Sequence, residues 1–190
     1  MARPAAGQIS PLQWELAGGL SLPVQQFADA GGVEGAADAD AAFSVQFSVG
    51  SGWWSPYVGF SQVRAGCGSG GACAEGETLA ATSFALGLRL NPVTLGRVTP
   101  FVLAGVFTPT VEARVAGPAP GAPGSSSPPA DRGTSDRALG LELGGGLLVR
   151  AGERWGLRPQ ARYARATPSF DAGDVRLRWV VVDLALVIGF

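Results

Sequence analysis

The feature that most constrains this chain is the alternation of apolar and polar residues along eight separate segments. The segments cover residues 12–22, 41–50, 53–64, 78–90, 97–113, 137–150, 155–165 and 175–190. Successive side chains of a strand point to opposite faces, so this period of two predicts eight β-strands, each with one apolar and one polar face. Orientation stays open in the third and fifth segments, where the following residues fit either face: Tyr57, Phe101, Leu103 and Phe107.

The connections between the segments alternate in length. Short turns at 50–52, 91–96 and 151–154 join segments two to three, four to five and six to seven. Longer polar connections rich in Gly or Pro join the others, and the longest, 114–136, has the Pro, Gly and Ser content of a mobile loop. This pattern predicts antiparallel strands with short turns at one end and long loops at the other.

Composition decides how such a sheet is packed. Only 15% of the residues are charged and the mean hydropathy is positive, yet the apolar runs are too short for a membrane-spanning helix. In lipid a sheet must close on itself, and eight strands enclose an interior that side chains can fill. We therefore expect residues 1–190 to form one all-β domain, an eight-stranded antiparallel up-and-down transmembrane β-barrel surrounded by outer-membrane lipids. A soluble, lipocalin-like binder would need the reverse arrangement of its faces.

Placing the polar faces inside the barrel brings six charged residues together. They are three acids and three arginines: Glu15, Glu142, Asp183, Arg89, Arg158 and Arg162. Buried charges must pair or become neutral, and equal numbers permit complete pairing. We expect an ion-pair network that fills the lumen; a gate or a ligand site is the alternative.

Aromatic residues indicate where the barrel meets the edge of a bilayer. Trp14, Trp53, Trp54 and Trp155 all fall near the short-turn end of their strands, whereas Trp179 lies nearer the loop end. Trp is enriched at membrane–water interfaces, so these four residues are predicted to form an interfacial girdle.

Two cysteines lie close together in a Gly-rich connection. Cys67 and Cys73 favour a disulfide formed in an oxidising compartment, with a reduced, inert pair as the alternative. With no histidine in the chain and no further cysteine, zinc has too few ligands, so we expect neither a metal nor another cofactor. The net charge of −1, with basic residues spread along the chain, gives no footprint for nucleic acid.

The C-terminal segment resembles the last strand of bacterial outer-membrane barrels. Such strands end in an aromatic residue after alternating apolar positions, here Val182, Leu184, Leu186, Ile188 and Phe190. From about residue 12 onward the chain resembles the small eight-stranded class typified by OmpA-type and OmpX-type barrels. The resemblance implies a Gram-negative outer membrane and recognition of the C-terminal strand by the barrel-assembly machinery. Residues 1–8 lack the apolar core of a secretory signal, so we take the chain as a mature form with an added start Met.

The expected function follows from these features. Barrel enzymes of this size use histidine as a base, and this chain has none, so we expect a non-enzymatic protein. Its expected role is structural or interactive at the cell surface, with mobile extracellular loops as the contact for an external ligand. The alternative is a narrow gated pore or a carrier of small or hydrophobic ligands.

Overall fold

The structure, a computed structural model, describes residues 12–23, 27–28, 34–35, 37–38, 40–50, 53–67, 78–114, 134–170, 173–174 and 176–189. We number its long strands β1 to β8 in chain order: Leu12–Pro23, Asp40–Val49, Trp54–Cys67, Thr78–Leu90, Val98–Arg114, Gly140–Arg150, Trp155–Ala166 and Leu177–Gly189. Each strand pairs antiparallel with the next, and β1 also pairs with β8. The sheet is therefore a closed eight-stranded barrel, which confirms the predicted fold. Within the described ranges, no helix has the length and apolar character needed to cross a membrane.

Side chains alternate between the outside and the inside of the barrel. In β8, odd-numbered residues such as Val181, Asp183 and Ala185 are buried, and even-numbered ones such as Val182 and Leu184 are exposed. The pattern repeats around the wall because a closed sheet has one inner and one outer face. As a result, most of the leucines and many of the valines face outward, while six charged residues of the strands face inward and are buried.

Short and long connections lie at opposite ends, which we call the turn end and the loop end. At the turn end, Leu95 and Val98 exchange two backbone hydrogen bonds around Gly96, whose φ of 64° suits a residue without a Cβ. At the loop end, two-residue strands pair with each other, Phe27–Ala28 with Glu34–Gly35 and Ser169–Phe170 with Gly173–Asp174. A further short strand, Ala37–Asp38, extends the sheet against the end of β3. Cys73, Phe190 and residues 115–133 lie outside the described residues.

The predicted sixth strand begins too early. The alternation predicts a start at Arg137, but β6 begins at Gly140. The backbone before Gly140 forms its hydrogen bonds with other segments. The amides of Ser135 and Ala138 donate to the carbonyls of Val111 and Pro109, at 2.9 and 3.4 Å. Residues 134–139 therefore lie against the end of β5 instead of pairing with β7. The third strand ends three residues later than predicted, at Cys67, and the other strand ends differ from the prediction by two residues or fewer.

The structure settles the two open orientations. Tyr57 of β3 and Phe101, Leu103 and Phe107 of β5 all point inward and are buried. Their neighbours Val58, Val102 and Val106 point outward. The interior thus contains aromatic as well as charged side chains.

Candidate functional site

The six charged residues expected inside the barrel all lie there, and all are buried. Exposure is 1% for Arg89, 2% for Arg158 and 2% for Glu15, with Glu142, Arg162 and Asp183 at 5–6%. They come from five different strands, with Arg158 and Arg162 both on β7, and form two clusters, one toward the turn end and one toward the loop end.

The turn-side cluster is built around one carboxylate. Glu15 of β1 accepts hydrogen bonds from both terminal nitrogens of Arg89, at 2.7 and 3.2 Å, and also pairs with Arg158. Two amides assist: Gln46 Oε1 accepts from Arg89 at 3.1 Å and Gln13 Oε1 accepts from Arg158 at 3.2 Å. With two guanidinium groups on one carboxylate, this cluster has a net charge of +1.

The loop-side cluster has the opposite imbalance. Arg162 of β7 donates to Asp183 Oδ2 at 2.8 Å and to Ser44 Oγ at 3.4 Å, and it lies 3.7 Å from Glu142 Oε2. One guanidinium group faces two carboxylates, which gives a net charge of −1. The two clusters together are neutral, so the interior holds six charges without a net electrostatic cost from excess charge.

Tyr57 lies between the two clusters, and its side chain extends along the inner face of the barrel. Its hydroxyl donates to Glu142 Oε1 at 2.6 Å, although three strand steps separate β3 from β6. The register explains the reach: Tyr57 is opposite Gly87, Gly87 is opposite Gly105, and Gly105 is opposite Glu142. The phenol lies over the two glycines, where a Cβ at Gly105 would come within 2.6 Å of the Tyr57 oxygen and one at Gly87 would collide with it.

Phe101 lies against both arginines of the turn-side cluster. The guanidinium carbons of Arg89 and Arg158 each lie 5.2 Å from the centre of its ring. Arg89 also lies 5.7 Å from the centre of the Tyr57 ring. A cation over an aromatic face is favourable, so these rings hold two like charges around a shared carboxylate.

Toward the loop end, the interior narrows to a small cavity. The rings of Phe107 and Trp179 meet edge-to-face at 5.6 Å, and the cavity beside them is also lined by Ser83 and Arg162. Its volume is about 20 Å³, which is room for one water molecule. A larger ligand has no space there.

Several of these contacts lie beyond what sequence reasoning identified. Gln13 and Gln46 carry no charge, and the alternation leaves the orientation of Tyr57 and Phe101 open, so the sequence pattern did not assign these residues to the site. Glycines at Gly87 and Gly105 were the available signal, since paired glycines inside a barrel leave room for a large neighbour. Among the described residues, no group of three or more potential ligands could hold a metal ion.

The outer surface carries the other predicted residues. Trp14 and Trp155 are each opposite Ile188, and Trp14 packs against Phe47 with ring centres 5.0 Å apart. These residues lie in one row at the turn end, and Trp53 and Trp54 are exposed near the same end. In the C-terminal strand, Val182, Leu184, Leu186 and Ile188 all face outward. The predicted disulfide lies outside the described residues because it involves Cys73.

The closed eight-stranded barrel, with its apolar exterior and charged interior, defines the fold of the small outer-membrane barrels. Among solved structures, neisserial surface protein A matches with a TM-score of 0.67 at 12% identity, over 95% of this chain and 98% of that chain. OprG from Pseudomonas aeruginosa matches with a TM-score of 0.60 at 14% identity, over 97% and 99%. Ail from Yersinia pestis, solved with the heparin analogue sucrose octasulfate, matches with a TM-score of 0.52 at 13% identity, over 93% and 99%. No protein-family pattern and no curated protein sequence matches the chain. At these identities the likeness is one of fold.

Proposed function

We propose that this protein is an integral, non-enzymatic outer-membrane barrel whose lumen is plugged by side chains and whose loops make contacts at the cell surface. One observation carries the proposal: charged residues are paired inside a closed barrel, and leucines, valines and aromatics cover its outside. Exposing so much apolar surface to water would destabilise a soluble barrel. Lipid removes that penalty.

The height of the apolar exterior supports a membrane location. On β8, the outward row at Ile188 contains Trp14 and Trp155, and the row at Val180 contains Tyr163. These rows are eight residues apart, roughly 20 Å along the axis at a rise of about 3.3 Å per residue and a tilt of about 40°. Together with the residues beyond each row, this approaches the apolar band of about 25 Å found in outer-membrane barrels.

The arrangement of the interior supports a closed lumen. Arg89 and Arg158 reach across the interior to Glu15, Arg162 reaches Ser44, and Tyr57 adds a fourth crossing to Glu142. Breaking a buried pair costs about 3–5 kcal/mol, so these crossings are not opened by thermal motion alone.

A role at the surface is supported by the long connections at the loop end. The solved structures of this fold include a neisserial surface protein and an attachment invasion locus protein, and both names describe contact with the outside of the cell. In this proposal, lipids contact the apolar exterior of the barrel, and the assembly machinery contacts the outward series from Val182 to Ile188. An external ligand would bind the loops.

One observation favours a second function, a narrow pore. Within the described residues, both polar atoms of the Gln160 side chain, Asp183 Oδ1 and the Nε atoms of all three buried arginines make no hydrogen bond to protein. Such groups can hydrate a thin passage between the clusters.

Planar-bilayer conductance of the refolded protein separates the two functions, with heat-modifiable gel mobility as the check on folding. A plugged lumen predicts that the folded wild type is electrically silent. Breaking the plug with Glu142→Gln or Arg89→Gln should produce small, discrete steps, while the exposed control Glu153→Gln stays silent. Discrete steps in the wild type, shifted by Glu142→Gln, would contradict the plug and establish a small pore.

A further inference from the structure

An arginine-lined groove lies on the outer wall at the loop end, outside the lumen. It occupies about 300 Å³ at the loop-side ends of β6, β7 and β8, and the residues that line it include Leu139, Leu141, Arg165, Thr167, Arg176 and Arg178. Leu139 is 72% exposed, and Arg165, Arg176 and Arg178 are exposed as well. The groove therefore combines apolar side chains with three guanidinium groups on one surface.

The strand register fixes the height of the groove on the barrel. Arg165 is opposite Arg178 on one side and opposite Leu141 on the other. This row lies just beyond the row of Tyr163, Val180 and Leu143. Arg178 and Ile188 are ten residues apart on β8, which places the arginines roughly 25 Å along the axis from the tryptophans of the turn end. That separation matches the thickness of the apolar band, so the arginines lie at its far edge.

Among the described residues that line the groove, the charged ones are all arginines. Arg165 and Arg178 lie directly opposite each other on an antiparallel pair, an arrangement that is unfavourable for like charges. Arg176 adds a third positive charge, and none of the described residues that line the groove is acidic. Arg178 has a further interaction within the chain, so Arg165 and Arg176 are the arginines assigned to the ligand; planar guanidinium groups bind phosphate oxygens in pairs.

We propose that the groove binds a phosphate group of an anionic lipid headgroup in the leaflet on the loop side, with an acyl chain against Leu143 and Val180 in the next row toward the turn end. This rests on the proposed membrane location of the barrel. A soluble anion does not explain the apolar row of Leu143, Tyr163 and Val180 on the turn side of the arginines, whereas a lipid presents phosphate and hydrocarbon in that vertical order.

The test uses the refolded protein in detergent micelles, titrated with a lipid A that carries two phosphates and monitored by native mass spectrometry. The double variant Arg165→Gln/Arg176→Gln removes two groove charges; Arg178 is kept because it has a further interaction within the chain. Arg97→Gln/Arg154→Gln, a change of equal charge at exposed turn-end residues, is the matched control. We expect affinity to fall about tenfold or more in the groove variant, which corresponds to about 1.4 kcal/mol, and to stay within about twofold in the control.

Other outcomes contradict the inference in distinguishable ways. Equal affinity for the dephosphorylated lipid, or equal losses in both double variants, would exclude a phosphate site in the groove. Binding of a sulfated polysaccharide that depends on Arg165 and Arg176, without lipid binding, would assign the groove to a different ligand. If the wild type also fails to show heat-modifiable mobility and vesicle insertion, the proposed membrane function fails together with this inference. If it inserts normally, only the inference fails.

Discussion

At the scale of single residues, the barrel interior depends on where side chains are small. Tyr57 reaches Glu142 because two glycines lie beneath its ring, and Arg162 lies against Gly144 in the same way, with 2.9 Å between its Cγ and a Cβ placed there. In each case a glycine on one strand makes room for a long polar side chain from a neighbouring strand. The network is thus specified by glycine positions as well as by the charged residues.

Gly87→Ala tests this dependence. The added Cβ meets the Tyr57 hydroxyl and the Ala104 carbonyl, so we expect a loss of about 1–3 kcal/mol in the free energy of unfolding. In a Tyr57→Ala background the loss should shrink by about 1 kcal/mol or more, because one of the two clashes is gone. Urea titration of the protein folded in vesicles measures both values. Gly18→Ala, where nothing lies within 4 Å of the added Cβ, is the control and should change stability by about 0.5 kcal/mol or less. An equal loss at Gly18 and Gly87 would contradict the account.

Glu15→Gln tests the turn-side cluster. Both Arg89 and Arg158 lose their shared counter-charge, so we expect a destabilisation of about 3–5 kcal/mol. Glu153→Gln makes the same chemical change at an exposed turn residue and should have little effect. The urea midpoints of the two variants provide the comparison, and similar midpoints would show that Glu15 carries no structural charge pair.

The sequence predicted which charged residues lie inside but not how they pair. Equal numbers of acids and arginines suggested three pairs, whereas Glu15 binds two arginines and Arg162 faces two acids. Which charged residues pair depends on the register between neighbouring strands. The alternation of apolar and polar residues does not specify that register. Phe101 and Phe107 were open for a related reason: β5 is apolar on both faces, so alternation gives no direction.

At the scale of elements, strand positions were predicted closely because alternation persists to the end of each paired segment. The largest differences are three residues, at the end of β3 and at the start of β6, whose predicted start at Arg137 continued the pattern of leucines past the last ladder pair. The backbone of residues 134–139 bonds to β5 and to Ser169 instead. The alternation of side chains does not show which carbonyl a backbone amide will donate its hydrogen bond to.

The wall has a local interruption between β6 and β7. Their ladder pairs Leu157 with Val149 and Gln160 with Gly146, but it skips Arg158 and Pro159. Proline has no N–H to donate, and the pairing of β7 with β8 remains continuous through Pro159. This seam is therefore the weakest part of the described β6–β7 contact.

Amide hydrogen exchange tests the seam. We expect residues 147–148 of β6 to exchange faster than residues 143–145, because their partners in β7 are incomplete. Pro159→Val restores an N–H on an outward position and should slow exchange at 147–148, with no change in β2. NMR in micelles resolves these amides. Equal protection along β6 in both proteins would show that the ladder is closed.

At the scale of the whole molecule, the decisive property is that the closed sheet has its polar face inside and its apolar face outside. Each strand on its own is an ordinary amphipathic segment, and only closure determines which face becomes the interior. Closure with the charges inside leaves a continuous apolar surface that water does not accommodate. The arginine groove at one edge of this surface and the tryptophans at the other fit the two boundaries of a bilayer.

Spin-label accessibility along β8 tests this polarity most directly. Single cysteines are placed at Val181, Val182, Leu184, Ala185, Leu186 and Val187 in a Cys67→Ser/Cys73→Ser background, and the protein is folded into lipid vesicles. We predict high exposure to dissolved oxygen and low exposure to a water-soluble nickel chelate at 182, 184 and 186, with low exposure to both at 181, 185 and 187. Oxygen maxima at 181, 185 and 187, or access of the nickel chelate to 182, 184 and 186, would contradict a barrel that spans the membrane with its charges inside.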